Sequence, residues 1–124
     1  MDKSQSSSVI FQTIFIEAAD HIAGFIAGVQ ASEFHESELI RSAVAQKLAI
    51  IGEAAAHVPD ELRDRFREIP WQRIVAFRNI LVHAYFGIDW SEVWLAASRQ
   101  APELRRQVDL ILRSGFRGPG DAAF

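Results

Sequence analysis

Apolar residues recur at intervals of three and four along most of the chain, and nowhere do they alternate with polar ones for long enough to demand a strand. That period restricts the fold to packed helices. From Val9 to about Val29 it runs through Ile10, Ile14, Ala18, Ile22, Phe25 and Val29, with Phe11 and Phe15 as a second set. Gly24 and Gly28, four residues apart, read as a place where another helix comes close. Ser37 with Glu38 opens a second helix through Ile40, Val44, Leu48, Ile51 and Ala55, which ends near Val58 and Pro59. Asp60 to Phe66 reads as a short helical turn capped by Asp60.

Pro70 starts a third main helix, expected to reach Phe86 and to stop at Gly87. It carries two apolar stripes, Ile74, Phe77, Leu81 and Ala84 on one and Val75, Val82 and Phe86 on the other. Two stripes imply burial on two sides, one against the bundle and one against a second subunit, so a homodimer or a higher assembly is expected. Asp89 or Ser91 then caps a last helix through Trp94, Leu95, Leu104, Val108, Ile111 and Leu112, kinked near Pro102.

The expected fold is therefore all-α. It is an up-and-down bundle of four long helices plus a short helical turn, occupying residues 9–114 between a flexible leader, 1–8, and a flexible tail, 115–124. A chain of 124 residues, 49% hydrophobic and 23% charged, is enough for one such domain. Cysteine is absent, which removes disulfides, thiolate metal sites and thiol nucleophiles together. Gln12, Glu17, Asp20 and His21 interrupt the most hydrophobic stretch, so no bilayer span or signal peptide is expected and the cytoplasm is the expected location.

A net charge of −3 argues against a protein that coats nucleic acid by bulk electrostatics. Any contact with RNA must be local. Arg99, Arg105, Arg106, Arg113 and Arg117 gather late in the chain, either as a positive strip or as an ordinary solvated helix face. The four histidines, His21, His35, His57 and His83, are scattered without metal-ligand spacing, and phosphate-cradling glycine loops are missing. No metal and no cofactor are expected.

What remains is Arg78, Asn79, His83 and Tyr85, four functional side chains within eight residues of an otherwise apolar helix. On a continuous helix Asn79 and His83 stand one turn apart, and Arg78 and Tyr85 two turns apart on a nearby stripe. Arginine can clamp a phosphate and histidine can move a proton near neutrality. With an RNA 2′-hydroxyl as internal nucleophile, that pair suffices for metal-free phosphodiester cleavage. The same residues have structural uses too. Arg78 can pair with Glu53, His83 can cap a carbonyl, and Tyr85 can anchor packing.

Arg78-x4-His83-x-Tyr85 resembles the R-x4-H-x-Y motif of HepT toxins, a branch of the HEPN ribonuclease superfamily. Ile50-Ile51-Gly52-Glu53-Ala54-Ala55, Ile69-Pro70-Trp71, the run from Phe77 to His83, Tyr85-Phe86-Gly87-Ile88-Asp89 and Val93-Trp94 extend the resemblance over roughly Phe15 to Leu112. It implies a HEPN-like helical homodimer with Arg78 and His83 in a shared cleft, cutting RNA without metal, with Asn79 in support. It implies further a type VII toxin–antitoxin system, in which an MntA-like minimal nucleotidyltransferase antitoxin silences the toxin by transferring AMP to Tyr85. The competing expectation is a catalytically silent helical dimer that binds such a transferase or a nucleotide. Ala84, and Gln46-Lys47, depart from common family residues without touching the motif.

Overall fold

The computed structural model describes residues 3–114, with side chains described from Ile10 onward. The tail expected at 115–124, Arg117 included, lies outside the described residues, as do Met1 and Asp2 of the expected leader. Seven α-helices follow in order: α1 (Lys3–Ile26), α2 (Ala31–Glu36), α3 (Glu38–Ala56), α4 (Asp60–Arg65), α5 (Trp71–His83), α6 (Trp90–Leu95) and α7 (Ala101–Arg113). Among the described residues no strand occurs.

The all-α bundle predicted from periodicity is the one observed. α3 packs on α1 on one side and on α5 on the other, and α7 closes against α1. Phe15, Ile22, Val44, Leu62, Ile69, Val93 and Val108 form the solvent-free core. Burial on this scale stabilises by about 1.5–3 kcal/mol for each large aliphatic side chain.

α1 begins at Lys3, ahead of the start expected at Val9. No Pro or Gly interrupts residues 3–8, and serine in a helix costs only about 0.5 kcal/mol per residue against alanine. α1 also ends before the expected Val29. Gly28, with φ +74°, turns the chain after Ile26. A Cβ placed on Gly24 or Gly28 would meet nothing within 4 Å, so the expected close helix approach does not occur there.

α2 has no counterpart among the elements expected from periodicity. It is six residues long, its Gln30 N–H is held by the Glu33 carboxylate at 2.8 Å, and its buried residue is Phe34. The Phe34 ring lies 5.1 Å from Trp94 and 6.4 Å from Trp90, centroid to centroid, and so plugs the end of the bundle between α3 and α6. Ser37 caps α3 as predicted, its hydroxyl accepting from the Ile40 N–H at 3.1 Å. Arg63 of α4 donates to the Ala55 carbonyl at 2.6 Å and satisfies the far end of the same helix. Pro59 occupies the cap position before α4, and Asp60, the expected cap, is its first residue.

Asp89 caps α6 through the Ser91 N–H at 2.9 Å. The break expected near Pro102 takes the form of one wide π-helical turn, Ala96–Gln100, which joins α6 to α7. Pro102 has no N–H to give to the Ser98 carbonyl and its ring would crowd that oxygen, so widening the preceding turn relieves both problems.

Candidate active site

α3 and α5 run antiparallel along one seam, and the residues singled out by chemistry lie along it or beside it. Near one end Arg78 of α5 faces Glu53 of α3, and at the other Tyr85 faces Ser42. Gly52 lets the seam close. A Cβ there would stand 2.8 Å from Arg78 Cγ and 3.2 Å from the Ile74 carbonyl oxygen, and nearer still to Arg78 Cβ. The arginine stem therefore lies across bare backbone.

That seating leaves the Arg78 side chain only 19% exposed. Its guanidinium is held at two points: Nη2 donates to the Glu53 carboxylate, and Nη1 donates to Asn79 Oδ1 at 2.6 Å. Glu53 also stands 3.8 Å from Nδ1 of His57, one turn further along α3. The ion pair weighed from sequence for Arg78 is thus formed. It orients the guanidinium and leaves its remaining N–H groups for an anion.

His83 is the last residue of α5 and is exposed. Among the described residues its imidazole makes no hydrogen bond, ion pair or ring contact, so it does not serve as a carbonyl cap. Asn79 and His83 lie about 40° apart around the helix, whereas Arg78 and His83 lie about 140° apart. A single chain therefore turns its arginine and its histidine to different sides.

The helix does not reach Phe86. It stops at His83 with Ala84 as cap, and Tyr85–Gly87 form one 3-10 turn, so the two-turn relation expected between Arg78 and Tyr85 is not realised. Gly87 is not the cap. The turn swings the chain back so that Ile88 packs on the core and the Tyr85 ring meets Trp90 edge-on at 5.9 Å, which a continuing helix would forgo. Tyr85 stays 43% exposed, with its hydroxyl 3.5 Å from Ser42 Oγ. Arg41, beside Ser42, lies over the Trp90 ring at 5.3 Å and donates to the His35 carbonyl. Gly52, Arg41 and Ser42 are not singled out by motif reading. Only Gly52 carries a signal, as a glycine in mid-helix.

The second apolar stripe of α5 is left uncovered. Ile80, Val82 and Phe86 are exposed, Phe86 fully so. α5 and α7 stand apart, and a groove of about 660 Å³ opens between them, floored by Leu48 and Ile51 and edged by Phe77, Ile80, Leu95 and Leu104.

The late arginines do not make a free positive strip. Arg105 pairs with Asp20, Arg106 with Glu103 and Arg113 with Asp109, leaving Arg99 on the groove. The hydrogen bond from Arg106 holds the Glu103 carboxyl below the usual range. Among the described residues no three His, Asp or Glu side chains converge where a metal could sit, and no helix is long and apolar enough to cross a membrane.

A family model described as "Ribonuclease HepT-like" matches residues 15–111. "Putative RNase MJ1380" of Methanocaldococcus jannaschii is 34% identical over 96 residues, 77% of this chain and 88% of the relative. "Putative RNase MJ1216" of the same organism is 32% identical over 79% of this chain and 81% of its own length. "Probable ribonuclease HepT" of Thermococcus cleftensis is 33% identical, covering 77% of this chain and 86% of its own. No solved structure matches.

Proposed function

The chain belongs to the ribonuclease HepT-like family, and on that premise we propose that it is an endoribonuclease toxin with Arg78 and His83 as its catalytic residues. One observation carries the assignment: the matched residues contain the whole Arg78-x4-His83-x-Tyr85 segment, with Arg78 seated on Gly52 and His83 left free at the helix end.

The reaction follows from those two side chains. An RNA 2′-hydroxyl attacks the adjacent phosphorus, and the bond to the leaving 5′ oxygen breaks, giving a 2′,3′-cyclic phosphate and a free 5′-hydroxyl. Arg78 holds the phosphate and offsets the charge that builds on its oxygens, while Asn79 fixes the guanidinium plane. His83 takes the 2′ proton or supplies one to the leaving oxygen. Such chemistry has no need of a metal, because nucleophile, base and charge stabiliser are all organic groups.

Because Arg78 and His83 diverge on one helix, the working cleft is formed by a homodimer, with α5 of each copy bringing its histidine towards the other's arginine. The uncovered apolar stripe of α5 and the adjoining groove supply the interface. Control lies with Tyr85. A partner transferase of the MntA type, in a type VII toxin–antitoxin pair, joins the phenol oxygen to the α-phosphorus of ATP, with loss of the phenol proton and release of pyrophosphate. The AMP so attached adds bulk and negative charge at the cleft.

Purified protein incubated with RNA tests the assignment. Cleavage is expected, and Arg78→Ala and His83→Ala should each abolish it while helical circular dichroism is retained. Undiminished cleavage by both variants would overturn the roles. A protein that binds the transferase yet cuts no RNA would be the silent dimer instead. For Tyr85, a mass gain of one or more AMP units with transferase and ATP is expected, and its persistence in Tyr85→Phe would refute the acceptor.

A further inference from the structure

Two arginines face the α3–α5 seam, and they differ in one respect that bears on anions. Arg78 is neutralised by Glu53. Arg41 is fixed just as firmly, by the Trp90 ring beneath it and the His35 carbonyl, but no carboxylate pairs with it among the described residues. Its charge is held in place and uncompensated. The next residue, Ser42, places a hydroxyl 3.5 Å from the Tyr85 hydroxyl, and Tyr85 and Arg41 share Trp90 as a neighbour. A guanidinium and two hydroxyls thus meet at one exposed spot, a donor set suited to the oxygens of a phosphodiester.

We propose that Arg41, with the Ser42 hydroxyl, forms a second phosphate-binding subsite for the RNA strand at the Tyr85 end of the α3–α5 seam. The proposal rests on the RNA-cleaving reading of Arg78 and His83. Ser42 and Glu53 are eleven residues apart on α3, about 16 Å along its axis, so the two arginines engage different phosphates of one strand. Arg78 holds the phosphate that reacts, and Arg41 anchors the strand and sets its direction. A nucleotide carried on the Tyr85 oxygen would lie against Arg41 and Ser42, and so would displace the strand from the subsite nearer to it.

The test is binding of a labelled single-stranded RNA to His83→Ala protein, followed by fluorescence anisotropy at several salt concentrations. Arg41→Gln, which keeps the stem on Trp90, should weaken binding about tenfold, the scale of one charge-assisted hydrogen bond. It should also lower the salt slope by about 0.7, as for one lost phosphate contact on a single strand. Arg41→Lys should recover most of the affinity, and Arg106→Gln, equal in charge change but remote, should do nothing. Equal binding and slope in Arg41→Gln and Arg106→Gln would overturn the subsite. An effect of Arg41→Gln confined to protein carrying adenylate on Tyr85 would also overturn it, assigning the guanidinium to the attached nucleotide. Should His83→Ala still cleave, the catalytic reading fails separately, and the subsite is then judged by whether Arg41→Gln raises the KM of cleavage. Wild-type protein that neither binds nor cuts RNA removes both.

Discussion

The seam between α3 and α5 is closed and the one between α5 and α7 is open, although α5 belongs to both. On the closed side a bare glycine backbone meets an arginine stem, and Trp71 and Leu81 are buried. On the open side Ile80 faces Leu95 across an unfilled groove. The two sides show one helix divided between holding the fold and presenting a surface. Apolar residues on the first side contribute to stability in the isolated chain, whereas those on the second contribute only when something covers them.

Substitutions can break that contrast or sharpen it. The largest loss is expected from Phe34→Ala, which unplugs the closed end of the bundle and should cost about 3–5 kcal/mol in urea unfolding. Gly52→Ala should cost about 1–3 kcal/mol, because the new methyl must displace the Arg78 stem or part the helices. It should also lose RNA cleavage as Arg78→Ala does, which a purely structural glycine would not require. The closed side has one flaw of its own: Gln12 is 1% exposed, and neither its amide oxygen nor its nitrogen has a partner among the described residues. Gln12→Met, similar in shape and without the stranded amide, should raise stability by about 1 kcal/mol. On the open side Ile80→Ser should move stability by less than about 0.5 kcal/mol. Sedimentation equilibrium should nevertheless show weaker self-association, and an unchanged dimer would mean that the groove is not the interface.

The long helices are legible in the sequence because each repeats its period over several turns and three of their starts are marked, by Ser37, Pro70 and Asp89. α2 is hidden by its length, since six residues with one buried side chain give no period to read. The end of α5 is misplaced by periodicity because Ala84 and Phe86 continue the apolar pattern and Gly87 looks like a stop. What ends the helix is the need to return Ile88 to the core, a tertiary demand with no local mark. In the site, the motif residues stand out by type. Their orientation does not, and the divergence of Arg78 from His83 becomes visible only once the helix end and the Gly52 contact are placed. Arg41 is invisible for another reason: its neighbour Trp90 lies 49 positions away in the chain.

The wide turn at Ala96–Gln100 makes the length of this stretch a phase setting. Upstream, Val93 points into the core from α6, and downstream, Leu104, Val108 and Ile111 do so from α7. Removing one residue between 96 and 100 would let the segment relax into an ordinary helix and rotate everything after it by about 100° relative to everything before. Lineages that lose a residue here must therefore rewrite the apolar stripe of the last helix, whereas most changes of residue at the same positions would leave the phase intact.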